Sequence, residues 1–88
     1  MKKEISKFFW IEVYIAENSH NNPNLQIIFK NNTCFIEIKS KKILEWELPI
    51  KVKNFILAWI GVYENKLISN WGLFQQWKHI IKIDPIKG

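Results

Sequence analysis

The sequence predicts an α+β domain: an antiparallel sheet of four to five strands packed against one bent or two consecutive helices. Two observations predict it. Through the first 48 residues apolar side chains recur with a period of two, broken by clusters of turn-forming residues, and from Pro49 onward the spacing changes to three or four. The 88 residues make a single domain, 1–88, with no internal repeat, linker or low-complexity segment. A chain this short buries only about 60 to 65% of the surface it exposes when unfolded, so its core has to be efficient. Five Trp, six Phe and sixteen Ile supply that core.

Residues 8–16 read as the first strand, with Phe9, Ile11, Val13 and Ile15 on one face and Phe8, Trp10, Glu12 and Tyr14 on the other. The stretch "NSHNNPN" ends it with turn formers. Residues 25–30 form a second strand. Asn31 and Asn32 suit the positive backbone angles of a tight hairpin, and 33–39 return as a third. Residues 43–48 form a fourth, with Leu44, Trp46 and Leu48 turned inward. From Pro49, a good first-turn residue, Val52, Phe55, Ile56, Trp59, Ile60, Tyr63, Leu67, Trp71 and Phe74 follow one helical face. An unbroken helix over 49–77 would be roughly 40 Å long, too long for this domain, so a bend or break is expected near Gly61 to Asn65. Residues 79–83 are expected to return as a short strand.

The single cysteine excludes an intramolecular disulfide framework and fits a reducing, cytoplasmic setting. The opening "MKKEISKFFWIEVYIAE" lacks the uninterrupted apolar run and cleavage site of a signal peptide. "FILAWIGVY" is the longest uncharged apolar run and falls well short of the roughly 20 residues needed to span a bilayer, so no membrane partner is expected. The net charge of +5 favours an anionic partner, yet all thirteen cations are lysines. Arginine's planar fork is the usual reader of phosphates and bases, and its absence counts against a specialised nucleic-acid reader.

In this order of elements stand "ISKF" at Ile5 to Phe8, "LP" at Leu48 and Pro49, "LAWI" at Leu57 to Ile60 and "SNW" at Ser69 to Trp71. The chain thereby resembles a bacterial family known as domain of unknown function 4160, whose pattern includes a histidine-rich stretch after the first strand. Against that stretch the chain keeps His20 and Pro23 but carries Asn24 and Gln26 at the last two histidine positions. Amides neither exchange protons near neutral pH nor serve well as transition-metal ligands, so a family metal or acid–base site would be disarmed here. Lys41 and Trp46 also replace family glycines. The family's gene pairing is similar to that of toxin–antitoxin and mobile-element modules.

No glycine-rich phosphate loop, paired-carboxylate motif or nucleophile elbow is present. His20 reads as a turn-capping loop residue, with a leftover ligand or base the less favoured alternative. His79 suits a helix C-terminus, and its union with His20 and Asp84 would need a special fold contact. Cys34, in step with Ile36 and Ile38, reads as a core residue. No catalytic residue, metal or cofactor is assigned. The outward strand positions Phe8, Trp10, Tyr14, Ile28 and Phe35 make a face too apolar to leave wet: either helix covers it or a partner does. Lys30, Lys39, Lys78 and Lys82 are the candidate nucleic-acid contacts beside such rings. These features point to a small non-catalytic protein that docks to a protein or nucleoprotein partner or to a second copy of itself, as a toxin–antitoxin component or anti-CRISPR-like inhibitor would. The alternative is an RNA-acting toxin or nucleic-acid-binding regulator.

Overall fold

The computed structural model describes residues 2–8 and 10–83. Five strands, β1 (Lys2–Phe8), β2 (Ile11–Ala16), β3 (Asn24–Phe29), β4 (Asn32–Glu37) and β5 (Ile43–Leu44), precede two helices, α1 (Ile50–Val62) and α2 (Glu64–Gln75). The strands pair antiparallel in chain order, β1-β2-β3-β4-β5, so every neighbour in the sheet is also a neighbour in sequence. The expected α+β architecture is the one observed. Alternation decides the two faces: Ile11, Val13, Ile15, Leu25, Ile27, Cys34 and Ile36 are buried and join Ile56, Trp59, Ile60, Leu67 and Phe74 of the helices in one cluster.

Several boundaries differ from the sequence reading. Residues 8–16 are not one strand, because Phe8 pairs with Ile11 and the chain reverses between them; Trp10 takes a φ of 61° in that turn. The turn shifts the buried set by one position, from Phe8 to Ile11, and the run of apolar residue types across it hides that shift in the sequence. Phe9 lies outside the described residues. In β1 the register shifts between Glu4 and Ser6, a bulge that turns both Ile5 and Ser6 inward. The second hairpin turns on Lys30 and Asn31, at φ 49° and 66°, rather than on Asn31 and Asn32. Phe29 and Asn32 are the closing pair, so the central residues are the two between them. The fourth strand is only two residues long: Glu45 at φ 77° ends it, Leu44 pairs with Phe35 on the open face, and Ile43, Trp46 and Leu48 reach the core instead.

The two helices meet at Tyr63, within the span expected for the break. Its φ of −107° and ψ of 19° bend the axis while the bonds from Tyr63 N–H to Trp59 and from Leu67 N–H to Tyr63 bridge the joint. After α2 the segment 78–83 is extended but is not a strand. It is held by Asn70, which is 3% exposed and whose amide bonds both the N–H and the C=O of Ile81, at 2.6 and 2.9 Å. A further bond joins Ile83 N–H to the Ile5 carbonyl on the outer edge of β1 at 2.9 Å. Asn70 lies on the helical face that sequence periodicity would fill with apolar residues.

Candidate functional site

The outward residues named from sequence divide among three environments. Phe8 is buried and its ring is tilted against that of Trp59 at 5.5 Å, so its placement on the outward face is corrected: the two-residue turn sets Phe8 opposite Ile11, on the core face, and out of step with Glu12 and Tyr14. Trp10 stands at the hairpin tip, 81% exposed. Tyr14, Ile28 and Phe35 occupy the sheet face away from the helices, half-buried by one another and absent from the core cluster.

At the hairpin tip, Trp10 and Ile11, Phe29 at the end of β3, and Lys51, Val52 and Phe55 of α1 enclose an almost wholly apolar groove of about 250 Å³. A tryptophan at positive φ is a conformational outlier costing roughly 1 to 3 kcal/mol, and such residues concentrate at functional sites. Cations surround the groove: Lys51 lines it, and Lys30 lies 5.4 Å from the Phe29 ring. The helix beside them begins at Pro49 with no side-chain cap and no acidic residue in its first turn, which carries Lys51 and Lys53 instead. Positive side chains next to the positive end of the helix dipole are unfavourable by several tenths of a kcal/mol each. Among the described residues no carboxylate pairs with Lys30, Lys51 or Lys53.

The open face is organised by register. One row crosses the sheet as Glu4, Tyr14, Gln26, Phe35 and Leu44, with Lys7, Glu12, Ile28 and Thr33 in the next. The Tyr14 hydroxyl donates to Glu12 Oε1 at 2.5 Å; that bond, then burial and the charges of Glu12 and Glu4, push the phenol up to about 12. The Gln26 side-chain oxygen is buried with no hydrogen-bond partner. The loop that carries His20 and Pro23 folds against the end of this face. His20 packs its ring 5.1 Å from that of Phe35 and sets Nε2 2.6 Å from Glu45 Oε2. Pro23 accepts a bond from Ile38 N–H, and Asn24, fully buried, joins Asn18 and the Asn22 carbonyl. Hydrogen bonds from Ser40 and then Asn22 hold Glu37 below the usual carboxylate value.

The chemistry-bearing residues are not gathered into a catalytic constellation among the described residues. Cys34 is buried, and burial first, with the Glu45 charge second, pushes its thiol up to about 12, the opposite of an activated nucleophile. His79 is exposed on the segment after α2, remote in sequence from the His20 loop, and Asp84 lies outside the described residues. No group of three metal-ligating side chains occurs among the described residues. The four candidate nucleic-acid lysines are scattered: Lys30 and Lys39 lie beyond opposite ends of β4, roughly 20 Å apart, while Lys78 and Lys82 follow α2, Lys82 with Glu4 at 3.8 Å. Among the described residues no helix is long and apolar enough to cross a membrane.

The sequence reading missed the contributions of Phe29, Val52 and Phe55 to a surface shared with Trp10. It counted Val52 and Phe55 in the helical core stripe; Val52 is half-buried and packs against the core, whereas Phe55 is 43% exposed. Comparison with protein-family models, with curated proteins and with solved structures returns no match for this chain.

Proposed function

We propose that the chain is a small non-catalytic binding protein that docks to a protein partner through the groove at the Trp10 hairpin, taking an acidic segment that inserts one large apolar side chain. The observation that carries this reading is the coincidence of an apolar groove, a strained and exposed tryptophan, and lysines without carboxylate partners among the described residues. A volume of about 250 Å³ suits one or two side chains rather than a long helix. A tryptophan at the centre of a desolvated contact typically contributes about 2 kcal/mol or more. Lys51, Lys53 and Lys30 would meet the acidic flanks and accelerate encounter. The scatter of the other lysines, and the carboxylates on the sheet face, weigh against a continuous track for a phosphate backbone. The resemblance of its motif order to the domain of unknown function 4160 family, and that family's gene pairing, favour a cytoplasmic role in a mobile-element or defence-conflict module, as an antitoxin or anti-CRISPR-like inhibitor.

A random peptide library displayed on phage and selected against the protein tests this reading. Enriched peptides are expected to combine Asp or Glu with one Trp, Phe or Leu, and to lose at least about tenfold in affinity against Trp10→Gly. Enriched peptides that lack acidic residues, or that bind the variant equally well, would refute it. Binding of single-stranded RNA that survives Trp10→Gly and collapses with added salt would transfer the function to the nucleic-acid alternative.

A further inference from the structure

We infer that the outer face of α1 is a self-association surface, on which two copies of the chain pack antiparallel about a two-fold axis at Ala58. This surface is distinct from the groove at Trp10, although Phe55 borders both. A surface helix ordinarily turns apolar residues to the core and charged or polar ones to water. Helix α2 does so: its exposed residues Asn65, Lys66, Ser69 and Gln75 are all polar. Helix α1 does not. Its core face is Ile56, Trp59 and Ile60, yet no charged residue occurs anywhere from Asn54 to Val62, and the outward side carries Phe55 and, at 75% exposure, Val62, with exposed Ala58 and Gly61 between them. A helix that is apolar on nearly all sides is one that something covers.

The order of side-chain sizes on this face selects a second copy. Phe55, Ala58 and Val62 fall on one ridge, and Asn54, Ala58 and Gly61 on the next, at spacings of three and four. When two such helices cross antiparallel with Ala58 over Ala58, Phe55 of one copy faces Gly61 of the other and Asn54 faces Val62, and the two-fold axis makes each contact twice. The ring thus meets the one position without a side chain. Glycine inside a helix weakens it, and at Gly61 nothing within the chain requires it: its φ is not positive, and an added Cβ would meet nothing within 4 Å among the described residues. The same crossing sets Lys51 and Lys53 of one copy at the far end from those of the other, so a chain of net +5 meets itself where it is uncharged.

A single helix pair buries less than the roughly 1,200 Å² of a tight interface, so the dimer is weak, with a dissociation constant on the order of 100 µM. Sedimentation equilibrium of the full chain across that concentration is expected to show monomer and dimer together. Val62→Glu changes a side chain already in water, so the urea midpoint should hold, while dimerisation weakens at least about tenfold because the axis buries the new carboxylate twice. Gly61→Leu should do the same by filling the space for the facing ring. Adding Asn54→Lys to Val62→Glu should recover about threefold of the loss, since the two new charges meet across the axis but stand about two turns apart within one helix. Trp10→Gly should leave association unchanged. A chain that stays monomeric to about 1 mM, including one that sediments with lipid vesicles instead of with itself, would overturn the inference. Equal dimerisation by Val62→Glu and Gly61→Leu, or no recovery in the double variant, would do so as well.

Discussion

Trp10 and Trp59 set the two limits of what a large ring does in this protein. Trp59 is 1% exposed between Phe8 and Tyr63, with ring centroids 5.5 and 5.8 Å away. Its truncation to alanine should cost about 3 to 5 kcal/mol, read from the midpoint of urea unfolding. Trp10 stabilises little and is strained. Trp10→Gly, which relieves the left-handed backbone, should leave stability equal or raise it by about 1 kcal/mol while it weakens partner binding. The alanine or glycine scan of a merely structural tryptophan would lose both together. Cys34 gives a pH dependence. Its protonated form is favoured in the fold, with the thiol raised from 9.0 to about 12, so above pH 9 the unfolded chain releases a proton that the folded chain holds, and stability falls as pH rises from there. Below pH 9 the group contributes no slope. Cys34→Ala should reduce the loss of stability between pH 8 and pH 10 in parallel urea titrations. Among these residues the sequence disclosed Trp59 and Cys34, because both follow a clean period. It misplaced Phe8, because the turn that sets it opposite Ile11 carries no turn-forming residue type, and it left Asn70 unremarked because a buried amide looks like any exposed polar residue.

Helix α1 opens against its own dipole. Without a side-chain cap or a first-turn acid, and with Lys51 and Lys53 instead, it gives up stabilisation that an ordinary helix start would have. Lys51→Glu should therefore raise stability by about 0.5 kcal/mol in thermal or urea unfolding, and should at the same time abolish selection of acidic peptides. A gain in stability without any effect on those peptides would detach the lysine from binding. The helices were the most legible elements in the sequence, down to the joint at Tyr63, because a helical stripe extends over many residues and its break is forced by length. Strands β1, β2 and β5 were less so. Two-residue hairpins shift the alternation by one, and the positive φ of Trp10, Lys30 and Glu45 falls on residues whose type announces no turn. The groove followed the same rule: it joins a hairpin tip to a helix start, a meeting that tertiary packing alone creates.

Over the whole molecule the lysine excess is unevenly spread. The hairpin end and the start of α1 carry cations without carboxylate partners among the described residues, whereas on the open sheet face lysines stand beside carboxylates, Lys7 opposite Glu12 and Lys82 3.8 Å from Glu4. Raising salt should weaken the binding of acidic peptides at the groove only in part, since the apolar anchor is retained. Measured at two ionic strengths, the selected peptides should keep the share of their affinity that Trp10→Gly removes. The fold class was fully legible from the sequence, as it follows from the order of the two periodicities. The division of the aromatic residues into core, groove and open face was not, because register shifts of one residue decide it.

The order of strand pairing also has a kinetic consequence. Each strand finds its partner next to it along the chain, so the meander can close through short loops, and contacts of this kind belong to fast-folding topologies. The exception is the bond from Ile83 to Ile5, which must wait until α2 has formed and Asn70 can seat Ile81. Until then the outer edge of β1 is an open template for another chain, defended only by Lys2, Lys3 and Lys7 and by the bulge at Ile5. A newly made chain that lacks the Asn70 clamp would pass through this state and stay in it, and its fate would be aggregation rather than simple unfolding.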